Sequence, residues 1–506
     1  MRLLLHAASP AGLLTLLAAT AAGVLPSSSD RVIVFDSRTA PGRAVGEALA
    51  SGLRLPASDA PLDLGTRSDA ADVLRSLAPS VVVLDAAAPE AAERLAAAAG
   101  KARLVLLDDG DAGPCPTPSQ LSRLTRARIK ALVYAELVPG LRPVLLRERA
   151  VSLHAVPLAS LRASAEAWAA SLSAPRRILE WKAAGERTAL VLGRDLPGLG
   201  KHTEAEATRL AGRLMDAALD TGLRAVTYLP APVHGKADAR RLAEAAAAVG
   251  LASAVLPSGL PPAVAHHLVR PALTLSVDDP WLLALRSHGG ERVQSVATGR
   301  VLPRLASLAD PARPRLALVD AVLRRGLPLP SEEAAPGPRP TGQGGPTSPG
   351  QLQELVDAVA FAVAPQLLAE LRPTATRTLL HSPALRSAYV PSKLLKSLRL
   401  EAEPPAADAG WDAPPTPGGP GSRSATGAAP VPDSGPARGS ATGSAKGSTS
   451  SRAGGHRPAV ADRHRLDPAG LESARLERRS GRRAVAGAAA GIATGLRQWW
   501  QRGSNA

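Results

Sequence analysis

The sequence predicts an α/β protein built on parallel sheets, and three observations carry that prediction. Short runs rich in Val, Leu and Ile recur along residues 1–300. Stretches with apolar residues at helical spacing separate them. One run, VVVLD (81–85), is continuously apolar up to its last residue, as a strand buried on both faces requires. Strands that alternate with helices demand crossover connections, and these give a parallel sheet.

The first element is ambiguous taken alone. MRLLLHAASPAGLLTLLAATAAG (1–23) has the Arg2 charge, apolar stretch and Ala19-Thr20-Ala21 of a secretory signal. It also reads as a strand over Leu3–Leu5, a turn at His6–Pro10 and a helix through Leu13, Leu14, Leu16 and Leu17. The rest of the series favours the strand. RVIVFD (31–36) is a strand, and AVGEALASGL follows at helical spacing. After VVVLD comes the helix PEAAERLAAAAG, for which Gly100 supplies a C-cap. ARLVLLDDG (102–110) and IKALVYAEL (129–137) are the next strands. Residues 2–6 supply the missing first strand of this set.

A second series begins after a helical bridge around 158–184. RTALVLG (187–193) is a strand. Thr203 and Glu206 form a capping box that opens a helix ending at Gly222. LRAVTYL (223–229) is a strand, ARRLAEAAAAVG a helix and ASAVL (252–256) a strand; PALTLS (271–276) and RVQSVA (292–297) follow. The sequence thus reads as two Rossmann-like domains, 1–165 and 185–330, with a ligand cleft at the carboxyl ends of their strands. Residues 334–350 form a Pro/Gly loop, and 351–400 form C-terminal helices in which Pro365 breaks the run 352–371. Residues 401–470 have the composition of a disordered linker. Residues 471–506 form a basic tail ending near Trp499 and Trp500, which can be helical and is a candidate for peripheral membrane contact.

Composition narrows the class. The chain has 506 residues, a net charge of +16 and only 2% aromatic residues. The cations are mostly arginine, consistent with coding bias plus a basic tail, and no aromatic-interleaved basic patch points to nucleic acid. Cys115 is the only cysteine, so no internal disulfide forms, which fits a cytoplasmic protein. No Cys/His spacing suits zinc, and no metal or cofactor is expected. His266 and His267 are adjacent, so they fall on different sides of any regular element and read as a helix surface or end.

Two segments invite chemistry. Asp108-Asp109-Gly110 follow an apolar strand directly, which puts two carboxylates at its carboxyl end, where one can serve as general base toward a hydroxyl. Gly110 permits close backbone approach. GLGKHT (198–203) looks like a phosphate loop but has Asp195 and His202 where a Walker motif needs Gly and Ser or Thr, which excludes that ATPase reading.

The stretch 102–146, with Asp108-Asp109-Gly110 and the run Leu137-Val138-Pro139-Gly140-Leu141-Arg142-Pro143-Val144-Leu145-Leu146, resembles the bacterial alpha-2,8-polysialyltransferase family in its actinobacterial branch. Segments 189–196, 295–323 and 352–368 resemble the same family in the same order, so the likeness covers roughly 1–400 and takes residues 2–23 as structure. The resemblance implies a GT-B fold with the acceptor on the first domain and the nucleotide sugar on the second. It implies inverting, metal-independent transfer of sialic acid from CMP-sialic acid to a glycan hydroxyl. Carried over, Asp108 or Asp109 is the base, Gly110, Ser276 and Arg313 are substrate-binding, Ser276 at the donor phosphate, and Arg313 survives from an Asn-rich segment that here reads Asp310-Pro311-Ala312.

The carry-over also shows departures. The Lys-Pro-His-Pro expected at 229–232 reads Leu229-Pro230-Ala231-Pro232, so Ala231 stands where the general acid should be. His234, three residues on, is the candidate replacement. Ser276-Val277 keeps half of a Ser-Thr pair. Three readings therefore stand: a sialyltransferase-like enzyme for polysaccharide synthesis, a transferase with a different nucleotide-sugar donor, and an inactive GT-B-shaped glycan-binding or membrane-associated scaffold.

Overall fold

The computed structural model describes residues 2–398 apart from 27, 29, 52, 54, 56–58, 194–202, 234, 288–291, 306, 328 and 330–349. Among the described residues, twelve strands fall in two sheets. The first contains β1 (Arg2–His6), β2 (Asp30–Phe35), β3 (Asp59–Asp63), β4 (Val81–Asp85), β5 (Arg103–Asp108), β6 (Ile129–Ala135) and β7 (Ser152–Val156), in the order β3-β2-β1-β4-β5-β6-β7. The second contains β8 (Thr188–Leu192), β9 (Ala225–Leu229), β10 (Ala252–Val255), β11 (Leu273–Ser276) and β12 (Val293–Ser295), in the order β10-β9-β8-β11-β12. Every pairing is parallel. This is the expected α/β architecture of two Rossmann-like halves. In each the strand order reverses beside the first strand, between β1 and β4 and between β8 and β11.

The ambiguous N-terminal segment is part of this core. β1 lies between β2 and β4, pairing Leu4 with Val32 on one side and Val82 on the other. Leu3, Leu4 and Leu5 are buried. Pro10 starts the helix Pro10–Ala21, and the Ser9 hydroxyl caps it by accepting from the Gly12 N–H at 2.9 Å. The Thr203–Glu206 capping box is present at the head of the helix Glu204–Asp220. Gly100 and Gly222 adopt positive φ just past their helices, as C-caps do.

Several elements differ from the sequence reading. β3 and β7 are edge strands without an apolar run; DAPLD is half-buried throughout and the first three residues of β7 are exposed. Edges lose one flank of burial, so their sequence signal fades. The helix Gly235–Ala248 starts earlier than expected, and the run 352–371 is a helix only over Gln351–Val363, with Pro365 beyond its end. The Pro/Gly loop 334–349, the linker 401–470 and the tail 471–506 lie outside the described residues.

The bridge ties the halves together. Its helix Leu158–Ala170 packs on Pro10–Ala21 of the first half and on Pro262–Val269 of the second. Trp168, Trp181 and Trp281 join one apolar core that reaches from Leu3 to Leu282. A second clamp is polar: the Gln353 side chain accepts from Arg142 N–H at 2.8 Å and donates to Arg142 C=O at 3.3 Å.

Candidate functional site

The carboxyl ends of β1, β4 and β5 meet at the switch point of the first sheet, and acidic side chains gather there. Asp85 ends β4 and Asp108 ends β5; Asp109 and Asp111 follow. Asp85 is fully buried and accepts the Ala8 N–H at 2.8 Å and the Ala87 N–H at 2.9 Å. Asp108 turns back on its own loop, accepting the N–H groups of Gly110 at 3.1 Å and Ala112 at 3.0 Å. Asp109 is held from the other side, where the Ser9 hydroxyl donates to its Oδ2 at 3.0 Å. One serine thus caps the first helix and orients a carboxylate.

Crowding of these acids shifts their titration. Burial, and next the charge of Asp109, push the Asp108 carboxyl up to about 8. The same two causes push Asp85 up to about 7. Nearby His6, at the end of β1, accepts the Asp85 N–H through Nδ1 at 3.3 Å, and burial followed by the Arg94 charge lowers it to about 4. Two glycines make the crowding feasible. A Cβ on Gly12 would lie 2.1 Å from Asp85 Oδ2. Gly110 has φ of +99°, and a Cβ there would lie 2.3 Å from Leu137 Cδ1, so the close approach it permits is to this leucine.

The second half meets this cluster through Arg315. Its Nη1 donates to Asp111 Oδ2 at 2.7 Å and its Nη2 to Asp278 Oδ2 at 3.3 Å. Asp278 follows β11 by two residues and is fully buried. Ser276, the last residue of β11, is buried with its hydroxyl donating to Leu192 C=O at 3.0 Å, so it spans the ends of β11 and β8. Arg313 is also buried and donates to the carbonyls of Leu308 at 3.0 Å and Tyr389 at 3.5 Å; burial lowers its pKa. Leu229 and Ala231, at the end of β9, are buried. His234 lies outside the described residues.

Between the halves, beside Asp108, is a cavity of about 40 Å³ walled by Gly113, Tyr134, Leu137, Pro280 and Leu318 among others. His266 and His267 occupy the last turn of Pro262–Val269; His266 is buried with Nδ1 3.3 Å from Thr274 Oγ1. Among the described residues no set of three or more His, Cys, Asp or Glu side chains is disposed to hold a metal ion, and no helix is long and apolar enough to cross a membrane.

The sequence singled out Asp108, Asp109 and Gly110, and the fold brings Ser9, Asp85, Asp111, Asp278 and Arg315 to the same region. Asp85 carries the same signal as Asp108, an acid closing an apolar strand. Arg315 and Asp278 have no local signal, since their partners come from distant parts of the chain.

No family model matches the chain, and no curated protein matches it. Solved structures do. A 2,6-sialyltransferase from Photobacterium sp., in a complex with CMP and lactose, is 12% identical over 56% of this chain and 69% of its own, with a TM-score of 0.37. The GT-B domain of a sialyltransferase from Photobacterium damselae is 11% identical over 63% of this chain and 96% of its own, with a TM-score of 0.36. A UDP-GlcNAc 2-epimerase from Neisseria meningitidis, bound to UDP-GlcNAc, is 11% identical over 64% of this chain and 91% of its own, with a TM-score of 0.38. At these identities and scores the likenesses carry no inference about a reaction.

Proposed function

We propose that this chain is a sialyltransferase-like glycosyltransferase, with CMP-sialic acid as donor and a glycan hydroxyl as acceptor. The observation that carries the reading is the acidic turn at the switch point, where Ser9 orients Asp109 and the next acid but one, Asp111, pairs with Arg315 of the second half. In the proposed reaction Asp109 takes the proton of the acceptor hydroxyl as its oxygen attacks the anomeric carbon. The bond from that carbon to the CMP phosphate oxygen breaks, and CMP leaves. Asp108, whose carboxyl is pushed up to about 8 by burial and the Asp109 charge, is the second candidate for base. The choice of CMP-sialic acid rests on the sequence resemblance, whereas His234 as acid rests on its place three residues after Ala231.

One observation favours a second reading, a catalytically silent binding protein of the same shape. Apolar Leu229 and Ala231 are buried where a lysine and a general acid are called for. Loss of a general acid typically lowers the rate by about 10²–10⁴-fold.

CMP release from CMP-sialic acid by the purified chain decides between them. Release that falls at least tenfold in Asp109→Asn and less in Asp108→Asn supports the transferase. CMP binding without release supports the silent binder. Neither release nor binding overturns the donor assignment.

A further inference from the structure

A larger cavity lies in the second half, away from the carboxylate cluster. It measures about 420 Å³ and is lined by Glu206, Arg209, Leu210 and Arg213 on one side and by residues 299–301, Pro303 and Arg304 on the other. None of these residues borders the cavity at Asp108. The first group lies in the opening turns of Glu204–Asp220, the helix that follows β8; the second follows β12. Its volume falls within the ~300–1,000 Å³ typical of small-molecule sites.

The charge balance of this cavity is lopsided. Arg209 and Arg213 stand one turn apart on their helix and repel, while Arg300 lies in the short helix Thr298–Val301 and Arg304 ends the 3₁₀ turn that follows it. Four guanidinium groups face one carboxylate, Glu206. That carboxylate is already engaged: it accepts the Thr203 N–H at 3.0 Å in the capping box, pairs with Arg304, and lies 3.8 Å from Arg209. Among the described residues, the Arg213 and Arg300 side chains have neither an ion pair nor a hydrogen bond. Arg213 is half-buried, and exposed Arg209, Arg300 and Arg304 stand at the rim of a concavity floored by buried Leu210 and Val301. Planar guanidinium forks match phosphate oxygens in pairs.

We infer that this arginine-lined cavity binds a small anion carrying two or more negative charges, of the pyrophosphate class. The anion bridges Arg213 and Arg300 and offsets the excess positive charge of the lining. The site is separate from the cleft at Asp109 and does not depend on the transferase reading.

Titration calorimetry of the full chain with inorganic pyrophosphate, at constant ionic strength, tests this. One saturable site is expected, weakened roughly tenfold by Arg213→Gln or Arg300→Gln and abolished in the double variant, as loss of charge-assisted hydrogen bonds requires. Pyrophosphate is also expected to raise the Tm of the wild-type chain, with no rise in the double variant, whose own Tm shows that it is folded. Asp109→Asn should bind pyrophosphate normally. Absence of binding, or equal binding by the double variant, overturns the site; loss of binding in Asp109→Asn overturns its separateness.

Discussion

Arg315 and Asp111 are 204 residues apart in sequence, yet the Arg315 guanidinium donates to the Asp111 carboxylate at 2.7 Å and so joins the two halves directly above the acidic cluster. The same guanidinium reaches the fully buried Asp278. Removing the cation takes a charge partner from Asp278 in the interior. Arg315→Met is therefore expected to destabilise the chain by about 3 kcal/mol, mostly through Asp278 rather than the more exposed Asp111. Adding Asp278→Asn should recover most of that loss in urea denaturation. A double variant as unstable as the single one would show that the bridge is not what holds Asp278.

Asp108 and Asp85 set a pH dependence with a definite sign. Both carboxyls are raised in the folded chain, so folding favours their protonated forms. Their contribution is fully present below the ordinary carboxylate pKa and is lost as pH rises through about 7 and about 8. Stability should fall between pH 5 and 8 for this reason, by a few kcal/mol at most on the scale of about 1.4 kcal/mol per pKa unit once the buried groups relax. Asp108→Asn keeps an acceptor for Gly110 and Ala112 and imitates the protonated acid. It should flatten the slope, which chemical denaturation at several pH values measures directly.

His6 acts in the opposite sense. Its folded pKa lies near 4, so the fold favours the neutral ring. Stability is lost as pH falls from about 6.5 toward 4, where the unfolded chain takes up a proton that the folded chain resists. His6→Asn should remove this acid limb; a limb of unchanged depth in the variant would assign it elsewhere.

Gly110→Ala places a side chain at φ of +99° and against Leu137. Strain of this kind costs about 1–3 kcal/mol before the clash is counted. The variant should unfold at lower urea, and CMP release should fall with it because the turn carries Asp109 and Asp111. Wild-type stability in Gly110→Ala would mean that the loop can adopt another path.

The alternation of strand and helix was legible because parallel strands are buried on both faces and read as plain apolar runs; VVVLD matches β4 to the residue, and ARLVLLDDG overruns β5 by one residue at its start and two at its end. Helix starts were legible wherever a cap announces them, as at Thr203. Edge strands β3 and β7 were not, since one side of each lacks a partner and the apolar requirement relaxes. Asp108-Asp109-Gly110 stood out locally as two acids and a glycine directly after an apolar strand. The sequence by itself therefore determined the kind of fold, the order of its elements and one acidic turn. Tertiary structure decided which acids share that turn. Only the placement of β1 between β2 and β4, with β5 next in line, brings Ser9 to Asp109 and sets Asp85 beside it. Only the packing of the halves brings Arg315 to Asp111. Strand order and interdomain contacts are set by crossovers and by burial summed over distant segments, and no local window of residues records those sums.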